Sequence, residues 1–257
     1  MRRLLPACAL LSGLLALFLL QACAGLDRRR VAASGQPGMP QGFTGVYRVV
    51  YAEGNAHRKA TLAVAFASPD QLRLEVLDAL GTSRAVLVLS GGRALFLDPG
   101  DRAFRTFDTG REALEALAGL PLDASLLPAL LLAEIPRWPG VECRPAPGPG
   151  PPDELDCLAE GGDPSLRLRD SGREARIRFR SGAAMTVRYE ESTGLREGTP
   201  RTVRLEGYQP SVRVDFIVRE MRFDRPGEDI FSTAPPKGFR LIPPTVERIP
   251  LFAPPAP

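Results

Sequence analysis

The sequence predicts a mainly β protein built from antiparallel strands. Short stretches in which apolar and polar residues alternate recur along the chain, and turn-forming residues separate them. Leu72, Leu74 and Val76, for example, alternate with Arg73 and Glu75. Such alternation is typical of strands that bury one face and expose the other. The regular spacing of the stretches indicates one large sheet, a sandwich or a barrel.

The predicted strands run from the first fifth of the chain almost to its end. Turn signals such as Ser68-Pro69-Asp70 and Ser90-Gly91-Gly92 separate them. In chain order, we expect strands at Val46–Tyr51, Leu62–Phe66, Leu72–Val76, Arg84–Leu89, Ala94–Asp98, Ala103–Phe107, Ser165–Arg169, Arg176–Arg180, Met185–Tyr189, Val203–Tyr208 and Val212–Phe216.

Two short helices are predicted in the middle of the chain. Thr109 and Glu112 have the spacing of a capping box, and Gly119 fits the position just past the helix end. A second, leucine-rich helix is expected from near Asp123 to Pro136. These helices either fill the sheet as ordinary core or form a lid over an apolar cavity, and the sequence leaves both interpretations open.

The N-terminus has the features of a secretory signal. Arg2 and Arg3 precede an apolar run that ends at Leu20, and Cys23 follows. This arrangement resembles the lipobox of bacterial lipoproteins, a family in which the cysteine is diacylated and becomes the first residue of the mature chain. The alternative is an ordinary signal with an accidental cysteine. Because Ala24 stands where an aspartate favours inner-membrane retention, the resemblance implies the outer membrane.

The organisation that follows from these signals has four parts. Residues 1–22 are a signal peptide, and 23–41 are a lipid-anchored tether rich in arginine, glycine and proline. Residues 42–240 form the folded domain, and 241–257 form a proline-rich tail.

The two remaining cysteines are expected to form a disulfide. Cys8 leaves with the signal and Cys23 is the anchor, so Cys143 and Cys157 remain in a compartment that permits disulfides. They flank the segment from Arg144 to Asp156, which is rich in proline and glycine and is expected to be a flexible loop.

No catalytic constellation is recognisable in the sequence. His57 is the only histidine, and no Gly-x-Ser-x-Gly or His-Glu-x-x-His motif occurs. A net charge of +3, with arginines interleaved among acidic residues, gives no basis for nucleic-acid binding. We therefore expect no enzyme activity, cofactor or metal, and an apolar ligand as the remaining possibility.

The central segment carries a family resemblance. The run Leu72 to Ser83, which ends in Leu80-Gly81, is followed by Gly119-Leu120-Pro121-Leu122 and by Leu130 to Pro136. Their order resembles that of LolB-type outer-membrane lipoprotein receptors and the wider LolA/LolB-like lipoprotein-binding family. The match extends from about Gly42 to Pro136.

The resemblance implies an unclosed antiparallel β-barrel with a short two-helix lid. In that family the barrel holds acyl chains, takes a lipoprotein from a LolA-like periplasmic carrier and inserts it into the outer membrane. By position, Leu80 is the insertion residue and Gly81 permits its turn. The apolar cavity is expected to be lined by Leu62, Val64, Phe66, Leu72, Leu74, Val76, Leu114, Leu117, Leu127 and Leu131.

Two other functions remain open. One is a structural envelope lipoprotein whose barrel is filled by its own side chains and takes no ligand. The other is an enzyme acting on the envelope, which the missing nucleophile and base disfavour.

Overall fold

One continuous sheet of fourteen strands dominates the fold. The computed structural model describes residues 41–67, 70–118, 122, 126–135, 141–147, 154–159, 164–169, 173–192, 199–207 and 212–242. The strands are β1 (Gly42–Glu53), β2 (Ala56–Ala67), β3 (Gln71–Leu77), β4 (Ser83–Ser90), β5 (Arg93–Asp98), β6 (Ala103–Phe107), β7 (Val141–Pro145), β8 (Leu155–Ala159), β9 (Ser165–Arg169), β10 (Glu174–Arg178), β11 (Ala184–Ser192), β12 (Pro200–Glu206), β13 (Val212–Arg222) and β14 (Arg240–Leu241).

The strand order shows that the sheet is unclosed. From one edge to the other, the order is β14-β6-β5-β4-β3-β2-β1-β13-β12-β11-β10-β9-β8-β7. All neighbours are antiparallel except β14 and β6. Strand β1 pairs with β13, which joins the N-terminal strands to the C-terminal ones. In the described residues, the edge strands β14 and β7 pair only on one side.

The predicted strands all lie within observed strands, apart from the ends of two of them. The observed strands are mostly longer, since β1 and β2 each have 12 residues. Phe179 and Arg180 lie beyond the end of β10, and Tyr208 lies outside the described residues. The prediction of a mainly β fold built on one large antiparallel sheet is confirmed.

Three strands were not predicted, and one predicted loop is too long. Strands β7 and β8 pair with each other, and Arg144 lies opposite Asp156. Both residues were assigned to a flexible loop, which is wrong, because strand pairing continues past the two cysteines. The two-residue strand β14 is too short for any alternation to show.

The described residues contain two α-helices where two were predicted. Helix α1 spans Gly110–Ala118 and helix α2 spans Leu126–Leu132. The Thr109 Oγ1 accepts a hydrogen bond from the Glu112 amide at 3.1 Å, as a capping residue does. The Glu112 carboxylate accepts from the Asp108 amide at 3.2 Å, one residue before the expected partner. Asp123, Gly119 and Pro136 lie outside the described residues.

Part of the outer face of the sheet is also covered. After β13 the chain forms a short 3-10 helix, Glu228–Phe231, which places Phe231 against the outward side chains Ala65, Ala67, Val86 and Val88. Because both faces are buried here, β2 and β4 contain continuous apolar runs instead of strict alternation.

Candidate functional site

The inner face of the sheet carries one apolar cluster that reaches nearly every strand. It includes buried residues from β1 to β6 and from β8 to β13, together with both helices. Strand alternation explains this, because residues two apart lie on the same face of a sheet. The inner face is therefore a continuous apolar surface that the two helices share.

The ten predicted cavity residues come together in this cluster. All are buried, and the most exposed of them, Val76, keeps 7% of its surface accessible. Six lie on β2 and β3, and four lie on the helices. The structure thus brings the strand and helix members of the set into one apolar interior.

Helix α2 is apolar throughout. All seven of its residues are buried, including Pro128 in its first turn, where a proline costs no intrahelical hydrogen bond. A helix that is apolar on every side must be surrounded by apolar partners. Helix α1 is amphipathic instead, since Ala113, Leu114 and Leu117 are buried while Glu112 and Glu115 are exposed.

Two tyrosine hydroxyls lie in the interior without a partner. Tyr47 is completely buried on β1, and Tyr189 on β11 packs against the same cluster. Both hydroxyl oxygens are buried and make no hydrogen bond with the described residues. Burial raises the pKa of both phenols well above its usual range, so each hydroxyl is a neutral donor at physiological pH. Sequence alternation placed Val46–Tyr51 and Met185–Tyr189 in strands but gave no sign of these unpaired groups.

A second feature is the turn between β3 and β4. Leu80 lies at its tip and is 91% exposed, and Gly81 adopts φ +79°, which favours glycine. The Asp78 Oδ1 accepts hydrogen bonds from the amides of Leu80 and Thr82, both at 2.9 Å. The Gly81 amide donates to the Asp78 carbonyl at 3.0 Å. This network fixes the turn in the form that exposes Leu80.

Asp78 is the residue that organises this turn. Its carboxylate also receives Arg84, with an Nη2–Oδ2 distance of 2.8 Å. The hydrogen bond from the Thr82 amide, followed by the one from Leu80 and the charge of Arg84, lowers the pKa of Asp78 below its usual range. Asp78 was not predicted as a site residue, although an aspartate two residues before the tip of a turn is a recognised turn signal.

A groove of about 620 Å³ lies on the outer face, below the 3-10 helix. Its lining mixes apolar side chains with charged ones, and two of these, Arg73 and Glu75, pair with each other at 3.0 Å. Arg73 also donates to the carbonyl of Ile230 at 3.3 Å. Arg73 and Glu75 in the groove are therefore already paired with each other.

The structure joins Cys143 to Cys157 by a disulfide. The two residues face each other on the paired strands β7 and β8. The bond therefore ties the last two strands of the sheet together at its edge, where β7 has a neighbour on one side only.

Several predicted features lie outside the described residues. Cys23, the signal at 1–22 and the tail from 243 onward are among them, as is the tether apart from Gln41. Within the described ranges, no helix is long and apolar enough to cross a membrane. No cluster of three or more metal-ligating side chains occurs in the same part of the chain.

Comparisons with solved structures agree with this architecture. No family model matches the sequence, and no curated protein does. Among solved structures, a LolA superfamily protein from Nitrosomonas europaea superposes with a TM-score of 0.55 at 14% identity, covering 76% of this chain and 92% of that one. A DUF1329 family protein from Desulfovibrio piger gives a TM-score of 0.51 at 10% identity, covering 82% and 96%.

At these identities the likeness concerns the fold alone. The predicted unclosed half-barrel with two helices is confirmed, since the LolA superfamily structure has the same architecture over most of both chains. A specific likeness to LolB-type receptors stays a prediction. The chain therefore has a LolA-like half-barrel fold.

Proposed function

We propose that this protein is an outer-membrane-anchored lipoprotein that binds acyl chains in its apolar interior and helps to insert lipoproteins or lipids into the outer membrane. One observation carries the proposal: a single apolar cluster extends across the sheet and includes both helices. The proposed action is passive, because moving acyl chains between apolar environments requires no covalent chemistry.

The width of the sheet supports a ligand in this interior. An eight-stranded barrel is about as large as its own side chains can fill, and larger barrels enclose more space. The sheet here has fourteen strands, whereas the helices that cover it are short, since α1 has 9 residues and α2 has 7. Acyl chains can take the place of helical leucines against the sheet, since both present hydrocarbon to it.

The exposed turn supports the delivery step. Leu80 protrudes on a hairpin that Asp78 holds in shape, so its side chain can enter a bilayer without unfolding the domain. A LolA-like periplasmic carrier is the proposed donor, and the membrane is the proposed acceptor. Anchoring through Cys23 keeps the folded domain at that membrane.

One observation favours the alternative of a structural lipoprotein with a filled barrel. The ten predicted cavity residues are already closely buried, as in an ordinary protein core. In the acyl-binding function a ligand displaces the helices from the sheet, whereas in the structural alternative the helices stay in place.

Substitutions that overpack the interior distinguish the acyl-binding function from the filled barrel. Val64 and Val88 are both buried valines, but Val64 faces the inner cluster and Val88 faces the outer one. Replacement of a core valine by phenylalanine costs about 1–3 kcal/mol at either site. Binding of a fluorescent fatty-acyl probe to the full chain should fall for Val64→Phe and persist for Val88→Phe. Absence of binding by the unmodified chain would contradict acyl binding and favour the filled barrel.

A further inference from the structure

The interior contains two hydrogen-bond donors to which a purely hydrocarbon ligand offers no acceptor. The hydroxyls of Tyr47 and Tyr189 are buried and unpaired among the described residues. Leaving a hydroxyl buried without a partner destabilises a fold, and phenylalanine would fill the same space without that cost. Buried unpaired groups of this kind call for a partner beyond the described residues.

Both side chains point to the inner face. Tyr47 lies on the same face of β1 as the buried residues Phe43 and Val49, and it packs edge-on against Phe216 with ring centroids 6.4 Å apart. Tyr189 lies opposite Val203, which is itself fully buried in the inner cluster. The two tyrosines are three strands apart, so each hydroxyl serves its own acceptor.

Gly45 helps to set the position of the Tyr47 hydroxyl. A Cβ at Gly45 would lie 2.9 Å from Tyr47 Cε2 and 3.5 Å from its hydroxyl oxygen. The ring therefore lies back over the strand where a side chain would otherwise stand. The missing side chain leaves room for the phenol in the floor of the sheet.

The charge of the interior limits which acceptor fits. The buried charged residues in the described part of the chain are Glu154 and Asp215. Each pairs with an arginine, Glu154 with Arg169 at 2.7 Å and Asp215 with Arg204 at 2.8 Å. Neither belongs to the inner cluster, which consists of hydrophobic residues. Among the described residues of that cluster, an anionic carboxylate would find no counter-charge, whereas a neutral ester carbonyl needs only a donor.

We propose that Tyr47 and Tyr189 donate hydrogen bonds to the ester carbonyl oxygens of acyl ligands and so make the interior selective for esterified acyl chains over bare hydrocarbon or free fatty acid. This inference rests on the proposed acyl-binding function, which it deepens. The hydroxyls act as binding groups and take no part in a reaction.

The test compares three competitors of a bound fluorescent dye: palmitic acid methyl ester, palmitic acid and hexadecane. It uses the full chain and the variants Tyr47→Phe, Tyr189→Phe and Tyr51→Phe. The last is the matched control, since Tyr51 is a tyrosine of the same strand as Tyr47 that has an interaction within the structure. We expect the unmodified chain to prefer the ester. Tyr47→Phe and Tyr189→Phe should each weaken ester binding about fivefold, the value of one typical hydrogen bond, and leave hexadecane binding unchanged.

Each other outcome counts against the inference in a distinguishable way. Equal binding of ester and hexadecane by the unmodified chain would overturn the selectivity and leave the proposed function standing. Equal losses for both competitors in the phenylalanine variants would assign the tyrosines to packing and overturn the inference. If no competitor binds the unmodified chain, the proposed function fails and the inference fails with it.

Discussion

Leu80 is far more exposed than the other large apolar residues of the described chain. Its exposed fraction is 91%, compared with 59% for Leu241 and 38% for Leu158. A single exposed leucine is common on protein surfaces and by itself means little. Here, however, three hydrogen bonds to Asp78 hold the backbone that presents it. Polar contacts thus stabilise a turn whose tip is apolar.

We predict that Leu80→Glu slows delivery of lipoproteins to membranes about tenfold or more. Burial of a leucine side chain in hydrocarbon contributes about 2 kcal/mol, and a glutamate loses that contribution. Transfer of a labelled lipoprotein from a carrier to liposomes measures the effect. Leu241→Glu is the matched control, because it adds the same charge at another exposed leucine.

Equal transfer rates for the unmodified chain and Leu80→Glu would remove the insertion role. Loss of folding in Leu80→Glu, seen by circular dichroism, would assign Leu80 to packing instead.

Cys23 is the other residue on which the proposed function depends. Two or more acyl chains anchor a protein stably, since each buried methylene contributes about 0.8 kcal/mol. We predict that Cys23→Ser loses its acyl mass and leaves the outer-membrane fraction of cells. Retention of Cys23→Ser in that fraction at the level of the unmodified chain would refute lipid anchoring.

The sequence predicted the roles of some single residues and not of others. Family resemblance pointed to Leu80 and Gly81, and both lie at the turn expected for them. Alternation alone put Tyr47 in a strand, yet it carries no information on whether a hydroxyl finds a partner. That depends on which strands pair between Tyr47 and Tyr189, and only the structure shows that these are β13 and β12.

At the scale of elements, the β3–β4 hairpin depends on one carboxylate. The folded hairpin lowers the pKa of Asp78, so the charged form stabilises the turn at pH values above the usual carboxylate range near 4. This contribution is lost as the pH falls through the lowered pKa. We predict that the amide signals of Leu80 and Thr82 in NMR spectra shift together on acidification below about pH 4. Asp78→Ala should show weakened amide protection already at neutral pH, and unchanged protection would show that the turn forms without Asp78.

The β7–β8 hairpin depends on its disulfide. Cys143 and Cys157 are 14 residues apart, and closing a loop of that length stabilises a fold by about 3 kcal/mol. We predict that the double variant Cys143→Ser/Cys157→Ser lowers the free energy of unfolding by about that amount in denaturant titrations. A reducing agent should destabilise the unmodified chain similarly and leave the double variant unchanged. Labelling of two free thiols in the unfolded, unreduced chain would reject the bond.

Strands could be predicted from the sequence where they are long enough to show a regular pattern of apolar residues. Strands such as β3 and β4 have seven and eight residues, and their alternation or apolar content marks them clearly. Strands β7 and β8 have five residues each and border a proline- and glycine-rich segment, which hid them. The cap at Thr109 was predictable because capping depends on residues only three positions apart.

At the scale of the whole molecule, local patterns give a list of strands but not their order. The pairing of β1 with β13 joins segments more than 150 residues apart, and no periodicity encodes it. The family resemblance supplied the unclosed barrel, which the strand order bears out. The central claim that remains is that the shared interior accepts acyl chains.

Native mass spectrometry tests that claim most directly. The full chain, extracted gently from the cell envelope, should carry non-covalent lipid in addition to its covalent anchor, and collisional activation should release it. Fragmentation should then identify acyl chains in the released species. A chain that carries its anchor alone, in preparations where a known lipid-binding protein keeps its ligand, would contradict acyl binding and indicate a barrel filled by its own side chains.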